Sequence, residues 1–426
     1  MEIRIAKSEK PRIVIVGGGF GGLKMAQSLA NSNYQVVVID KNNFHQFQPL
    51  FYQVATSGLD ASSIIFPFRK IFQRRKNIHF RLAEVHHIDA SKKLLETSLG
   101  ELEYDKLIIA SGAGNNFFGN ENIENFALPM KSINESLRLR NYILERFEES
   151  LSVPEDEQKA MLTFVIAGAG PTGVELAGTL AEMKRFILPK DYPELNFEGM
   201  KIIVVEGSPR VLSAMKEQSS TKAQKYLEDL GVEVRLSTLV SDYDKEKVIL
   251  NSGESIHTKT LIWAAGIQGN FLSGIDEKAK ARGNRILVNE YNEVLGMPDV
   301  YAIGDVACMA GGDPNYPHGH PQLAQAAIQQ GKCLANNLRL ISEGEAMQPF
   351  RYKNLGSMAT VGRNKAVVEL PNYSFGGIFA WLVWMVVHLR SILGVKNKFV
   401  VLMNWVWNYF TYNLSLRLII KRKDEV

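Results

Sequence analysis

The feature that most constrains this chain is a glycine-rich turn directly after a short apolar strand, and the chain carries it twice. The first strand, residues 13–16, is apolar and β-branched throughout, as buried parallel strands are. The turn that follows consists of Gly17, Gly18, Gly19, Phe20, Gly21 and Gly22. A helix is predicted over residues 23–31 and a second strand over residues 36–39, which leads into Asp40.

Each part of this unit has a physical purpose. In a GxGxxG turn the first glycine makes the tight turn, the second lets the backbone approach a pyrophosphate, and the third lets the helix pack on the strand. The positive end of the helix dipole then faces the phosphates. Asp40 lies 23 residues after Gly17, close to the spacing expected of a carboxylate that binds a ribose hydroxyl. The unit therefore predicts a dinucleotide-binding fold.

The same unit recurs in the middle of the chain. A buried strand over residues 163–167 leads into a turn with Gly168, Gly170, Pro171, Thr172 and Gly173, and a helix is predicted over residues 174–185. The next strand, residues 201–205, leads into Glu206. The spacing to this acid is longer because residues 186–200 contain two prolines and form an excursion. A carboxylate at Glu206 favours NADH, since it repels the extra phosphate of NADPH.

Three further strands end at small residues. Residues 107–109 lead to Ser111 and Gly112, residues 261–263 lead to Ala265 and Gly266, and residues 300–303 lead to Gly304 and Asp305. In this order the chain resembles the flavoproteins with two dinucleotide-binding domains, in which FAD lies on the first fold and a nicotinamide cofactor on the inserted second. The resemblance implies that Gly304 and Asp305 reach the ribityl or phosphate groups of a non-covalent FAD.

The expected fold class is α/β, with two Rossmann-like domains and a C-terminal helical segment that associates with a membrane. The predicted domains are residues 1–125, the first part of the FAD-binding domain; 126–290, the inserted NADH-binding domain; 291–373, the second part of the FAD-binding domain with the quinone site; and 374–426, the amphipathic anchor.

The positions of the two cysteines limit which class of electron acceptor the chain can use. Cys308 and Cys333 are 25 residues apart and outside the first helix, so the redox-active pair of a disulfide reductase is missing. Flavin-adjacent cysteines of the sulfide:quinone oxidoreductase kind are missing as well. The spacing also resembles no zinc site, and no metal is expected.

Three segments carry a closer resemblance. Residues 45–56, the AQxAxQ pattern of residues 324–329 and the run 356–366 are similar to the type II NADH:quinone oxidoreductases, which are single-subunit dehydrogenases that do not pump protons. The resemblance implies that Gln325 and Gln329 belong to a quinone site and that Lys365 is their neighbour. It further assigns to cofactor binding Lys41, Gln48, Pro49, Leu50, Val85 and Ala324.

Glu175 lies in the first turn of the second helix, where an acid ordinarily stabilises the helix dipole. The resemblance gives it a second interpretation, near the nicotinamide and the flavin, where it positions the nicotinamide or protonates the quinone.

The C-terminal tail differs from the rest of the chain in charge and in aromatic content. The net charge is +4, yet from Ser374 onward seven basic residues face two acidic ones, so a basic nucleic-acid-binding body is not expected. Four of the five tryptophans, Trp381, Trp384, Trp405 and Trp407, lie in this tail. Tryptophan and basic residues favour the membrane interface, so we predict a surface-lying anchor. A buried hairpin or dimer interface and a transmembrane hairpin are the alternatives.

The chain start carries charges throughout and shows no secretory signal, so the enzyme is expected on the cytoplasmic face of the cell membrane as a peripheral homodimer. The expected partner is a quinone, either menaquinone or ubiquinone. The alternatives are a soluble reductase of a ferredoxin or rubredoxin and a slow, nucleotide-sensing flavoprotein.

Overall fold

The computed structural model describes residues 3–414 and 416–420. The chain forms two compact units, each built from three separate segments. The first unit contains the residues up to His45, Phe66–Gly114 and Ile267–Leu355. The second contains Gln46–Ile65, Asn115–Gly266 and the residues from Gly356 onward. Three short strands, Phe44–Gln46, Ile65–Pro67 and Ala113–Asn115, lie where the chain passes from one unit to the other.

The first unit is built on a five-stranded parallel sheet. Its strands, in spatial order, are Val300–Ala302, Lys106–Ile109, Arg12–Val16, Gln35–Asp40 and Ile78–Leu82. The central strand pairs Val14 with Val37 on one side and with Leu107 on the other. All three of these side chains are fully buried, which is why the strand is apolar on both faces.

The first unit also contains small sheets and three helices. An antiparallel sheet is formed by Val85–Asp89, Leu94–Thr97 and Gly100–Glu103. A smaller, mixed sheet is formed by Lys280–Ala281, Arg285–Leu287 and Ala307–Cys308, and the last two of these strands are parallel. The helices are Phe20–Ser28, Phe68–Phe72 and Ala324–Ser342. The first helix begins three residues earlier than predicted, because the last two glycines of the turn are already helical.

The second unit repeats the plan of the first with another five-stranded parallel sheet. Its strands, in spatial order, are Leu128–Pro129, Thr260–Trp263, Thr163–Ala167, Lys201–Val205 and Glu233–Arg235. An antiparallel sheet is formed by Val240–Tyr243, Lys247–Leu250 and Ser255–His257. The helices before the tail are Phe51–Ala55, Glu121–Phe126, Ile133–Ser150, Glu155–Met161, Pro171–Phe186, Leu188–Asp191 and Glu217–Asp229. The prediction of two Rossmann-like sheets is confirmed.

The C-terminal part of the second unit combines a small sheet with two helices. The strands Ser357–Gly362 and Lys365–Glu369 form a β-hairpin, and Ser374–Gly376 pairs with the second of them. The helices Ile378–Ser391 and Val395–Thr411 follow. Within the described ranges, none of the helices has both the length and the apolar character that crossing a bilayer demands. The basic residues Lys421, Arg422 and Lys423 of the predicted anchor lie outside the described residues.

Candidate functional site

The first glycine turn requires glycine at its first and last positions. Gly17 has a φ of +102°, and a Cβ added there would lie 2.3 Å from the carbonyl oxygen of Ala110. A Cβ on Gly22 would lie 1.9 Å from the carbonyl oxygen of Gly17. Any larger residue at either place therefore forces the helix away from the strand.

The acid at the end of the second strand stabilises this turn. Asp40 accepts hydrogen bonds from the backbone N–H groups of Gly18 and Asn42, both at 2.7 Å. Burial raises the pKa of Asp40, and these two hydrogen bonds lower it by less. The ring of the buried His45 lies 3.0 Å from the carbonyl oxygen of Gly18, measured from Nδ1. The turn is thus held by side chains on both sides.

The middle glycine of the turn faces open space. A Cβ on Gly19 would meet no protein atom within 4 Å, and the same is true of Gly112, which has a φ of +71°. A backbone that is rigid on one side and bare on the other is the cradle that a pyrophosphate needs. The first unit therefore fits FAD, with Gly17 to Gly22, Asp40 and Gly112 as the residues to hold it.

The remaining predicted site residues of the first unit are Gly304, Asp305, Ser111, Lys41, Val85 and Ala324. Gly304 has a φ of +77°, and its N–H donates to the side chain of Gln330 at 2.7 Å, while the Asp305 carbonyl accepts from Gln322. The Ser111 hydroxyl donates to the carbonyl of Asn270. Lys41 is exposed, Val85 is buried at a strand start, and Ala324 begins its helix.

The two glutamines of the AQxAxQ pattern lie on one side of their helix, as predicted. The Gln329 amide both donates to the carbonyl of Lys353 at 2.8 Å and accepts from its N–H at 3.0 Å. Gln325 accepts from the N–H of Leu355 at 3.0 Å. Both amides thus fasten the helix to residues 353–355, a structural role that the sequence pattern did not indicate.

The second glycine turn repeats the first almost atom for atom. Gly168 has a φ of +100° with its added Cβ 2.5 Å from the carbonyl oxygen of Ala264, and a Cβ on Gly173 would lie 1.9 Å from the carbonyl oxygen of Gly168. A Cβ on Gly170 would meet nothing within 4 Å. The second unit therefore fits a second dinucleotide, since it has the same cradle.

Glu206 takes the place of Asp40 in this second turn. Its carboxylate accepts from the N–H of Ala169 at 2.6 Å and from that of Ser208 at 2.8 Å. Gly266 follows the neighbouring strand, and a Cβ there would lie 2.7 Å from the ring of Phe118. Ala265 precedes it, so the predicted small-residue turn is packed on an aromatic side chain.

Glu175 opens onto a cleft of about 370 Å³ in the second unit. The cleft brings together residues that were predicted for different cofactors, since Gln48 and Pro49 were assigned to FAD and Thr172 to the second turn. Leu50 is buried behind them. The lining residues are Gln48, Pro49, Phe51, Tyr52, Met130, Lys131, Thr172 and Glu175.

The carboxyl group of Glu175 is almost completely enclosed, with 7% of the residue exposed. Burial raises its pKa to about 8, and the N–H of Thr360, 3.4 Å from Oε1, lowers it by less. The indole N–H of Trp384 also lowers this pKa by its proximity, although it makes no hydrogen bond of ordinary geometry. A carboxyl group whose pKa is raised in this way is able to carry a proton near neutral pH, which is the property that a general acid needs.

A second, larger cavity of about 810 Å³ lies in the same unit, and we call it the aromatic cavity. Its walls come from helix Phe51–Ala55, helix Pro171–Phe186, the hairpin and the two C-terminal helices. Its aromatic lining consists of Tyr52, Trp381, Trp384, Trp405, Tyr409 and Tyr412. Its polar lining includes Gln53, Thr56, Thr179, Glu182, Thr360, Arg363 and Asn408.

The sequence pattern missed two charged residues of this cavity, Glu182 and Arg363. Glu182 follows Glu175 by seven residues, which places both acids on one face of the helix, and this spacing was the available signal. Arg363 lies next to the predicted lysine. Lys365 itself does not line the cavity, and its Nζ lies 5.9 Å from the centre of the Tyr226 ring.

Comparison with known proteins agrees with this architecture. Residues 11–331 match the family model described as pyridine nucleotide-disulphide oxidoreductase, and residues 354–411 match the NDH2 C-terminal domain. The chain is 34% identical to the type II NADH:quinone oxidoreductase Ndh of Mycobacterium tuberculosis, over 94% of this chain and 88% of that protein. It is 35% identical to NdhA of the same organism, over 92% and 86% of the two chains.

A solved structure has the same fold. The structure of NDH2 from Plasmodium falciparum in complex with NADH superposes with a TM-score of 0.88 at 22% identity, over 97% of this chain and 100% of that one. The family match, the extended identity and the two dinucleotide cradles agree. The chain belongs to the type II NADH:quinone oxidoreductases.

Proposed function

We propose that this chain oxidises NADH through a bound FAD and passes the two electrons to a membrane quinone, without moving protons across the membrane. The observation that carries the proposal is the aromatic cavity, because a flat, lipophilic ring fits a cavity that has an aromatic wall and a few polar groups. Two dinucleotide cradles in one chain supply the other two binding sites that such an enzyme needs.

The roles of the chain's own residues follow from their positions. Glu206 binds the ribose hydroxyls of NADH and repels NADPH. Glu175 holds a proton at its carboxyl group near the place where the nicotinamide or the quinone reacts. A bound FAD would supply the two-electron redox chemistry that links NADH to the quinone. The residues assigned to FAD contribute binding and orientation.

Gln325, Gln329 and Lys365 remain proposed quinone-site residues, although none of the three is among the residues that line the aromatic cavity. The support for the two glutamines is their shared helix face and the AQxAxQ pattern. Their hydrogen bonds to residues 353–355 affect how a substitution is interpreted. Alanine at Gln329 removes two hydrogen bonds to the backbone of Lys353 as well as the amide itself. The predicted domains are likewise part of the proposal. Residues 1–125 and 291–373 bind FAD, the second range together with the quinone; residues 126–290 bind NADH; and residues 374–426 attach to the membrane.

We further propose that the enzyme is a peripheral protein of the cytoplasmic membrane face and a homodimer. Large apolar side chains on the two C-terminal helices are strongly exposed: Phe379 by 74%, Val395 by 85% and Phe410 by 77%. Exposed apolar residues concentrated in this way favour contact with lipid.

Steady-state oxidation of NADH and NADPH by the purified protein tests the function, with short-chain ubiquinone, short-chain menaquinone and ferricyanide as acceptors. NADH-specific reduction of either quinone is expected. Ferricyanide reduction without quinone reduction would contradict the proposal and favour a protein acceptor.

Sedimentation with liposomes that contain anionic lipid tests the membrane attachment. Changing Phe379, Val395 and Phe410 together to serine should reduce recovery on liposomes at least tenfold, while activity with a water-soluble quinone persists. Leu99→Ser with Leu151→Ser is the matched control, because those leucines are exposed by 48% and 43% outside the C-terminal helices. Equal losses in both variants would contradict attachment through these helices.

A further inference from the structure

The buried Glu175 and the half-buried Glu182 lie on the same face of helix Pro171–Phe186, and only Glu175 has been given a role. Glu175 opens onto the cleft and Glu182 onto the aromatic cavity. Thr179 lies between them on this face and also lines the aromatic cavity. Its hydroxyl donates to the backbone carbonyl of Glu175 at 2.8 Å.

Tyr52 is common to the two spaces, since it lines both the cleft and the aromatic cavity. Only 4% of this residue is exposed, and burial together with the charges of Glu175 and Glu182 raises the pKa of its phenol. The phenol oxygen accepts a hydrogen bond from Gln53 at 2.8 Å, and Gln53 in turn accepts from the indole of Trp405 at 2.8 Å. Because Gln53 occupies the oxygen as a donor, Tyr52 keeps its own proton for a further acceptor.

Glu182 is held at the turn of the hairpin. Its Oε1 accepts from the N–H of Arg363 at 2.6 Å. The helix and the hairpin approach so closely that a Cβ on Gly178 would lie 1.9 Å from the carbonyl oxygen of Val361. The carboxyl group therefore cannot move far from the cavity wall.

The elements that pack around Glu182 each contribute charged or titratable groups. Burial raises the pKa of Glu182, while Arg363 and Lys365 lower it by less. The Arg363 guanidinium lies 3.4 Å from the centre of the Tyr412 ring and 5.0 Å from that of Tyr409, and it donates to the carbonyl of Asn408. The groups to consider are thus Glu175, Tyr52, Arg363, Lys365, Tyr409 and Tyr412.

We propose that Glu182 takes up protons from water and passes them through Tyr52 to Glu175 during quinone reduction. This inference rests on the proposed function. Reduction of a quinone by NADH consumes one proton from water: the nicotinamide C–H bond breaks and delivers two electrons and one proton, and two O–H bonds form on the quinol. Glu182 lines the aromatic cavity, and its proposed part is to hand the proton on through Tyr52, so it is a positioning residue for the proton.

The substitution Glu182→Gln tests the relay, because glutamine keeps the volume and the acceptor for the Arg363 N–H but carries no exchangeable acid. With NADH and short-chain ubiquinone or menaquinone, the variant should lose at least about tenfold in kcat at pH 9 and much less at pH 6, with the quinone KM within about twofold of the unmodified enzyme. Hydronium replaces the missing carrier at low pH, which is why the loss depends on pH. The solvent deuterium isotope effect on kcat should rise, and Glu182→Asp should recover part of the loss.

Glu194→Gln is the matched control, since Glu194 is an exposed carboxylate in the same unit. Its pH profile should equal that of the unmodified chain. Tyr52→Phe provides a second test, because it removes the hydroxyl that separates the two acids, and its loss should grow with pH in the same way. It keeps the inference testable if Glu182→Gln does not fold.

Unchanged pH profiles in both variants would overturn the relay, and so would a loss confined to the quinone KM. A different outcome concerns the proposed function itself. If the unmodified enzyme reduces ferricyanide with NADH but neither quinone, the proposed function fails and the relay fails with it. Quinone reduction by the unmodified enzyme with an unaltered Glu182→Gln profile overturns the relay alone.

Discussion

The two glycine turns form the same hydrogen bonds but are followed by different helices. In each, the second residue of the turn donates its N–H to the acid that ends the neighbouring strand, at 2.7 Å for Asp40 and 2.6 Å for Glu206. Seven residues after the first glycine, however, the first helix carries the half-buried Lys24 and the second the buried Glu175. Binding of a dinucleotide is therefore common to both turns, and a buried acid belongs only to the second.

The lengths of the helices extend this difference. Phe20–Ser28 ends after 9 residues, whereas Pro171–Phe186 continues for 16. The extra turns are what bring Glu182 to the aromatic cavity. The two binding turns thus share one form, whereas the acids to which we assign proton transfer lie on only the second helix.

The largest effects are expected from alanine at the first glycine of each turn. Both positions have φ near +100° and backbone atoms within 2.5 Å of an added Cβ, so strain of roughly 1–3 kcal/mol adds to a direct clash. Gly17→Ala should abolish flavin binding, which the flavin absorbance measures. Gly168→Ala should retain flavin and raise the KM for NADH more than about a hundredfold. Loss of flavin in both variants would show that the turns do not act separately.

A sharper test uses the middle glycine of each GxGxxG turn, Gly19 or Gly170, because an added Cβ there meets no protein atom within 4 Å. Gly19→Ala should leave the apoprotein as stable as before and weaken FAD binding about tenfold or more. Gly170→Ala should do the same for NADH with FAD retained. Calorimetry of the apoprotein and titration with each cofactor measure these effects. Unchanged affinities would show that this open face is not where the pyrophosphate binds.

The two acids of the comparison should differ in what they select. Glu206→Gln should lower the preference for NADH over NADPH about tenfold, because the charge that repels the extra phosphate is lost while the bond from the Ala169 N–H is kept. Asp40→Asn should weaken FAD binding and leave that preference unchanged. The ratio of kcat/KM for the two nucleotides is the measurement, and an altered ratio in the Asp40 variant would contradict the assignment.

The last expected effect is on stability and leaves binding unchanged. Burial raises the pKa of Glu175 from 4.5 to about 8, so the folded state holds a proton that the unfolded state has lost. The unmodified protein should therefore lose roughly 3–4 kcal/mol of stability relative to Glu175→Gln as the pH rises from about 5 to about 9, with no further change above. Unfolding of both proteins across this range measures it. Lys24→Gln is the control at the equivalent position, and its difference from the unmodified protein should not follow this pH dependence.

The sequence predicted short local elements more accurately than elements whose length depends on tertiary packing. The strands Thr163–Ala167 and Lys201–Val205 were predicted to the residue, because buried parallel strands are short apolar runs with clear ends. The helix that carries the AQxAxQ pattern continues to Ser342, well beyond the pattern itself, since the buried Leu334, Ala335 and Leu338 keep packing against the first unit's interior. Propensity alone gave no reason for that extension.

The sequence by itself determined the two glycine turns, the acids that stabilise them, and the insertion of the second fold within the first. These depend on residues that lie within a few tens of positions and on backbone conformations that only glycine adopts without strain. Tertiary structure alone decided which side chains line the aromatic cavity, why Gln329 bonds to Lys353, and that Arg363 rather than Lys365 reaches Glu182. Those contacts join segments more than a hundred residues apart in several cases, and their geometry is set by how helices and hairpin pack rather than by any local pattern.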